Sequence, residues 1–172
     1  AADEDGKIYR VREYYGCGDR PNVGVHMPPQ EIARNIREIE DGDPMLKGRD
    51  IYGIADPSIF AADRGFSIAE LMGRYPNNVM WSPGDNKRIP GWQQCQYRLT
   101  FDADGETMFQ VFNTCRHFIR TIPTLVYDDK KVEDVNSDLE DHIADEWRYV
   151  MMENPISPRL PAPPLPKKVD PF

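Results

Sequence analysis

Residues 137–152 combine an apolar stripe with an acidic face, and this pattern predicts one amphipathic helix. The apolar residues recur at helical spacing and need a core to pack against; they are Leu139, Ile143, Trp147 and Val150. Ser137 followed three residues later by Glu140 matches a capping box, so we expect the helix to begin there. A chain of 172 residues is long enough to bury this stripe in one domain.

Four polar residues gather on a neighbouring face of this helix, because residues three, four and seven apart are helical neighbours: Asp138, Asp141, His142 and Asp145. Acidic side chains in the first turn gain roughly 0.3–1 kcal/mol from the helix dipole, and this accounts for Asp138 and Asp141. Asp145 lies beyond that turn, and its like-charge contact with Asp141 costs about 0.2–0.5 kcal/mol. The face is therefore either a solvated acidic surface or a site where a divalent cation relieves the repulsion.

The composition narrows the class of protein. A formal net charge of −8 argues against a generic nucleic-acid coat, but it is compatible with an enzyme that holds DNA through metal ions. Cys17, Cys95 and Cys115 are odd in number and widely separated, which predicts reduced thiols rather than a disulfide framework. No stretch approaches the roughly 18 apolar residues of a membrane span, and we see no signal peptide. We therefore expect a soluble intracellular protein with no membrane partner.

Strand and helix patterns alternate along the chain and predict an α/β fold with a mixed sheet flanked by helices. We expect strands at residues 7–15, 51–55, 79–81 and 108–112, and helices that start near Pro28, Ser67, Pro90 and Thr114. Asp56 directly follows the second strand. Acids at the carboxyl ends of strands are well placed for functional sites, although a turn residue before Pro57 is an equally good interpretation.

Prolines dominate the end of the chain and predict a separate segment. Residues 154–172 cannot bury enough surface to fold, so we expect an extended, flexible proline-rich tail after a domain at residues 1–153.

Four segments resemble the C-terminal nuclease domain of tailed-phage terminase large subunits: residues 54–58, 85–92, 112–115 and 140–149. They follow the family's order and spacing, and the similarity runs from about Lys7 to Met152. The resemblance implies an RNase H-like fold. It also implies an endonuclease that cuts concatemeric double-stranded phage DNA during packaging, in the cytoplasm of the infected bacterial host.

The resemblance further implies a site in which three acidic residues hold two Mg²⁺ or Mn²⁺ ions. Asp56 matches the acid after the middle strand, and Asp145 matches the acid in the last helix. Asp141 is a supplementary candidate metal ligand, and His142 matches a histidine that ligates metal or steadies the leaving group. Candidate phosphate contacts are the basic residues Arg10, Arg12, Lys87, Arg88, Arg116 and Arg120.

In that family the first acid lies on the first strand, which would precede Lys7, so we expect an N-terminally incomplete fragment lacking that strand. The upstream ATPase domain of the same polypeptide, the terminase small subunit and the portal are the implied partners. One alternative is a non-catalytic fragment that docks on DNA or the portal, tethered by a tail that includes Lys167 and Lys168. Another is a different RNase H-like nuclease, such as a resolvase or transposase.

Overall fold

A computed structural model describes residues 1–18, 23–62 and 65–158, and within these ranges the chain is a mixed α/β protein. The strands are short, with three residues each: β1 Ile8–Arg10, β2 Gly53–Ala55, β3 Trp81–Pro83 and β4 Phe109–Val111. The α-helices are α1 Pro29–Gly42, α2 Ile68–Met72, α3 Arg88–Leu99, α4 Arg116–Thr121 and α5 His142–Glu153. Two short 3-10 helices occupy Pro57–Phe60 and Ile122–Thr124.

The strands pair into two separate parallel sheets. β1 pairs with β4, with Tyr9 opposite Gln110, and β2 pairs with β3, with Ile54 opposite Ser82. The predicted alternation of strands and helices is confirmed. Within the described residues, however, these strands do not join into the single mixed sheet that the sequence predicted.

Helix α5 lies at the centre of the main core, where it packs against α3 and α4. Its Trp147 ring stands 5.1 Å from the Phe109 ring of β4 and 5.4 Å from the Phe118 ring of α4, centroid to centroid. Such aromatic contacts contribute about 0.5–1.5 kcal/mol beyond the area that they bury. A smaller cluster under α1 and α2 contains Ala33, Met72 and Val79. The described residues therefore form two hydrophobic clusters, and α5 belongs to the larger one.

The predicted start of the last helix is wrong. Helix α5 begins at His142, and residues 137–140 form a turn in which the expected capping box is not made. The Ser137 hydroxyl instead accepts a hydrogen bond from Arg88 at 3.2 Å, and Glu140 forms a salt bridge with Arg120 at 2.7 Å. Leu139 consequently lies outside the helix and is 38 % exposed, whereas the rest of the predicted stripe is buried or half-buried on α5.

The capping box predicted at Ser67 is confirmed. The Ser67 hydroxyl accepts from the Glu70 backbone N–H at 3.1 Å, and the Glu70 carboxylate accepts from the Ser67 backbone N–H at 2.7 Å. Both unpaired N–H groups at the start of α2 are thereby satisfied.

The cap predicted at Thr114 is wrong, because its hydroxyl donates to the Val11 carbonyl across the fold at 2.9 Å. Glu13 caps the start of α4 instead. Its carboxylate accepts hydrogen bonds from the backbone N–H groups of His117 and Phe118 at 2.6 and 3.1 Å. A carboxylate at a helix N-terminus is also favoured by the helix dipole. This contact fastens the segment after β1 onto α4.

The three cysteines form no disulfide, as the sequence predicted. In the part of the chain that the structure describes, no helix is long and apolar enough to cross a membrane. Most of the predicted tail, residues 159–172, lies outside the described residues.

Candidate functional site

A cleft of about 760 Å³ lies between the two sheets, and it contains the acids that the sequence singled out. Its walls come from β1, α1, β2 and α5. Asp56, His142 and Asp145 all line it, and so does Glu146, which the sequence analysis did not identify. The structure therefore brings together the acid that follows β2 and the acid on α5.

Asp56 is held in position at the end of β2. One carboxylate oxygen accepts a hydrogen bond from the Ser58 backbone N–H at 2.7 Å, and the other accepts a short hydrogen bond from the Tyr149 hydroxyl. These hydrogen bonds from Ser58 and Tyr149 lower the pKa of Asp56 below its usual value. Burial, together with the bond to Asp56, raises the pKa of Tyr149 to about 12. At neutral pH an ionised carboxylate is thus held by a neutral phenol.

Tyr149 also explains why the two acids share one cleft. It lies one helical turn beyond Asp145, so both residues occupy the same face of α5. By bonding to Asp56 it docks that face of the helix against the end of β2.

Two arginines already neutralise the Asp145 carboxylate. One Arg88 nitrogen, Nη1, lies 3.0 and 3.2 Å from the two carboxylate oxygens. Arg148 donates to Oδ1 from Nε and Nη2 at 3.3 and 3.2 Å. The Arg148 side chain is only 2 % exposed, so it is a buried charge whose partner is Asp145.

Arg88 connects this acid to the preceding loop. Its Nε donates to both carboxylate oxygens of Asp134, at 2.8 and 3.0 Å, and Trp92 donates its ring N–H to the same carboxylate at 2.8 Å. Burial alone would raise the pKa of Asp134, but the hydrogen bonds from Trp92 and Arg88 outweigh it and lower that pKa. Arg88 therefore joins the start of α3 to both the loop and α5.

Asp141 and His142 differ in accessibility. The Asp141 side chain is buried, and its pKa is raised by burial and by the charge of Asp145, in line with the like-charge contact expected from the sequence. His142 is 67 % exposed at the cleft, with its Nδ1 3.9 Å from Asp141. His142 is thus open to a ligand in the cleft, whereas Asp141 lies beneath the surface.

Most of the predicted phosphate contacts are already in ion pairs. Arg10 makes two hydrogen bonds to Glu146 at 3.1 and 2.9 Å, and Arg12 pairs with Asp43. Lys87, Arg88 and Arg120 also have acidic partners, while Arg116 is exposed on α4. Of these six residues only Arg10 and Arg12 line the cleft, so DNA bound there would have to compete with Glu146 and Asp43 for them.

The acids fit a hard cation only in part. Carboxylates are the ligands that Mg²⁺ prefers in proteins, and Asp56 is ionised and faces the cleft. The Asp145 oxygens, in contrast, are occupied by guanidinium groups. Among the described residues, no group of three His, Cys, Asp or Glu side chains is arranged to hold a metal.

Sequence reasoning missed Arg148, Tyr149, Glu146 and Asp134 as parts of the site. The first two follow Asp145 by three and four residues, so helical spacing could have identified them. Asp134 is separated from Arg88 by 46 residues and carries no local signal.

The chain matches no known family model, and no match to it was found among curated proteins or solved structures.

Proposed function

We propose that this chain is the metal-dependent DNA endonuclease domain of a phage DNA-packaging terminase, with an RNase H-like fold. The observation that best supports the proposal is the shared cleft of Asp56 and Asp145, which come from distant segments and are linked through Tyr149. The motif resemblance supplies the reaction class: hydrolysis of phosphodiester bonds in concatemeric double-stranded DNA.

Two Mg²⁺ or Mn²⁺ ions, when bound, would activate a water molecule and stabilise the departing 3′-oxygen. The chain's own residues have separate tasks. Asp56 and Asp145 would hold the ions, and Tyr149 orients Asp56 through its hydroxyl. His142 is exposed at the same cleft, where its imidazole can hydrogen-bond to the leaving oxygen.

The proposal includes a third acid on a strand upstream of Lys7. Its support is the antiparallel pairing on the second edge of β1, where Ala2 forms a bridge with Ile8 and the Ala1 carbonyl oxygen accepts from the Tyr9 N–H at 2.8 Å, next to the cleft between β1 and β2. The upstream ATPase domain, the small subunit and the portal, all in the cytoplasm of the bacterial host, belong to the same proposal.

The test is nicking of supercoiled plasmid in Mn²⁺ by the wild-type chain and by Asp145→Asn. Mutation of a residue that only supports a metal ligand typically reduces activity by about 10–100-fold. Loss of a ligand itself should reduce the cleavage rate by at least as much. Asp104→Asn is the matched control, because it removes the same charge from an exposed turn outside the cleft. Equal cleavage by wild type and Asp145→Asn would refute the proposal.

A second candidate is a non-catalytic module that docks on DNA or the portal. The pairing of Asp145 with two arginines favours it, because that carboxylate has protein partners without any metal. Thermal unfolding in Mn²⁺ separates the candidates. An ion at 100 times its Kd stabilises the native state by about 2.7 kcal/mol, whereas a docking module would show no metal-dependent shift.

A further inference from the structure

A second cavity, of about 240 Å³, lies on the other side of α5 from the cleft. Asp145 lines the cleft and Trp147 lines this second cavity, and residues two apart on a helix point about 200° away from each other. We call the second cavity the apolar groove, and its main lining residues are Trp92, Leu99, Leu125, Val126, Tyr127 and Trp147. We propose that the apolar groove binds residues 161–166 of the same chain, the proline-rich segment. This inference does not depend on the nuclease proposal.

The first support is the character of the groove. Leu99, Val126 and Tyr127 are exposed at it, while Trp92 and Trp147 are buried beside them. Exposed apolar side chains that cluster around a concave site mark an interaction surface. Grooves lined by aromatic side chains are the sites at which PxxP segments bind.

The second support is a match between hydrogen-bond donors and acceptors. A polyproline helix makes no internal hydrogen bonds, and proline has no N–H, so such a segment mainly offers carbonyl oxygens. Gln96 and Tyr127 bring an exposed amide and a hydroxyl to the groove. The indole N–H of Trp147 is buried and has no hydrogen-bond partner in the described part of the chain. The groove therefore has donors for a ligand rich in acceptors.

The third support is where the described chain ends. The Asn154 carbonyl oxygen accepts from Arg98 Nη2 at 2.6 Å. Two hydrogen bonds join the Gln94 side-chain amide to the Ile156 backbone, at 3.1 Å to its carbonyl oxygen and 2.8 Å from its N–H. These contacts fasten the residues after α5 to α3, the helix that also contributes Trp92 to the groove.

The proline-rich segment is long enough to reach the groove from there. Gln94 and Trp92 are two residues apart and so lie on nearly opposite sides of α3. An α-helix with its side chains is about 10–12 Å across. At about 3.1 Å per residue, residues 161–166 lie about 9–25 Å of extended chain beyond Pro158. The segment therefore has only to pass around one helix.

The fourth support is sequence and charge. Residues 161–164 and 163–166 are two overlapping PxxP motifs, and Lys167 and Lys168 follow them directly. Glu133 lines the groove and is exposed. Complementary charges set the direction and specificity of binding more than its affinity, so the end of the segment next to the lysines should lie at Glu133.

The first experiment follows the indole N–H signals of the full, isotope-labelled chain by NMR. Trp92 and Trp147 line the groove, whereas Trp81 lines the cleft and is an internal reference. Replacing both Pro163→Gly and Pro164→Gly breaks the two PxxP motifs, and it should shift the signals of the two groove tryptophans without moving that of Trp81. Unchanged signals from both groove tryptophans would overturn the inference.

The matched control replaces Pro158→Gly and Pro171→Gly, two prolines outside the segment, and should leave all three signals in place. Wild-type spectra at several protein concentrations identify the source of the bound segment. Signals that do not depend on concentration support binding within one chain. Signals that move as the concentration rises would assign the groove to a second copy and reject binding in the same chain.

The second experiment titrates a synthetic peptide of residues 159–172 into wild type and into the Pro163→Gly, Pro164→Gly variant. A segment tethered by a short linker has an effective concentration of about 1 mM, so for a free-peptide Kd of about 0.1 mM wild type should bind about 10-fold more weakly than the variant. Equal affinities, or no binding to either protein, would contradict occupation of the groove by the chain's own segment.

A groove substitution locates the peptide. In the same variant, Tyr127→Ala should weaken peptide binding, because it removes part of the groove wall. Tyr52→Ala is the matched control, since Tyr52 is 72 % exposed, close to the 66 % of Tyr127, and lines neither the groove nor the cleft. Peptide affinity that Tyr127→Ala leaves unchanged would place the binding elsewhere and reject the inference.

Discussion

Gly91→Ala should destabilise the protein, although glycine is normally a poor residue inside a helix. Gly91 lies in α3 where that helix meets α5. A Cβ atom placed there would be 2.2 Å from Cγ of Arg148 and 2.5 Å from its Cδ. Real Cβ contacts are never this short, so the Arg148 stem must shift, and the hydrogen bonds that it makes to Asp145 shift with it.

The magnitude follows from three opposing effects. Replacing glycine by alanine in a helix interior gains about 1 kcal/mol of helix propensity. Overpacking costs about 1–3 kcal/mol, and weakening a hydrogen bond to a charged group costs about 1.5–3 kcal/mol. We expect a net loss of about 1.5–5 kcal/mol in the free energy of unfolding, which lowers the melting temperature by about 2–4 °C per kcal/mol for a domain of this size.

Urea unfolding followed by tryptophan fluorescence would measure this loss, with Gly42→Ala as the matched control. Gly42 ends α1, and a Cβ there would meet nothing within 4 Å, so that variant should gain about 0.4–1 kcal/mol. If Gly91→Ala is as stable as Gly42→Ala, the close approach of α3 to Arg148 is not a constraint, and the reasoning fails.

Two further predictions concern pH and thiol chemistry. The Arg120 hydrogen bonds hold the pKa of Glu140 at about 2 in the folded protein, below its usual 4.5. The stabilisation from this ion pair is therefore complete above pH 4.5 and is lost as the pH falls toward 2. Because Arg120 is half-exposed, Glu140→Gln should lower the free energy of unfolding by only about 1 kcal/mol at pH 7. Urea unfolding at a series of pH values should show this difference shrinking below pH 4.5. For the thiols, burial raises the pKa of Cys95 to about 12 and also raises that of the buried Cys115, while Cys17 is half-exposed. Ellman's reagent at pH 8 should titrate one thiol in the native protein and three in denaturant, and rapid reaction of all three in native buffer would contradict the buried environments.

Two capping boxes show what local sequence can predict here. Ser67–Glu70 and Ser137–Glu140 look alike in the chain, yet only the first forms. The first pair has its partners within three residues, so the pattern alone decides the outcome. In the second, Arg88 and Arg120 supply hydrogen bonds from distant segments, and these replace the local cap.

The same distinction holds at the candidate site. Asp56 lies directly after a strand, and helical spacing singles out Asp145, so the sequence could identify both residues. Both line the cleft. The partners of Arg88 are 46 and 57 residues away, at Asp134 and Asp145, and no periodicity or turn signal relates them. Their pairing follows from the packing of α3 on α5, which the sequence pattern does not specify.

One turn of α5 contacts both walls of the cleft, at β1 and at the end of β2. Glu146 holds Arg10 of β1, and three residues later Tyr149 holds Asp56 at the end of β2. Because Glu146 and Tyr149 are only three residues apart, a single turn of α5 fixes the position of the helix relative to both β1 and the end of β2.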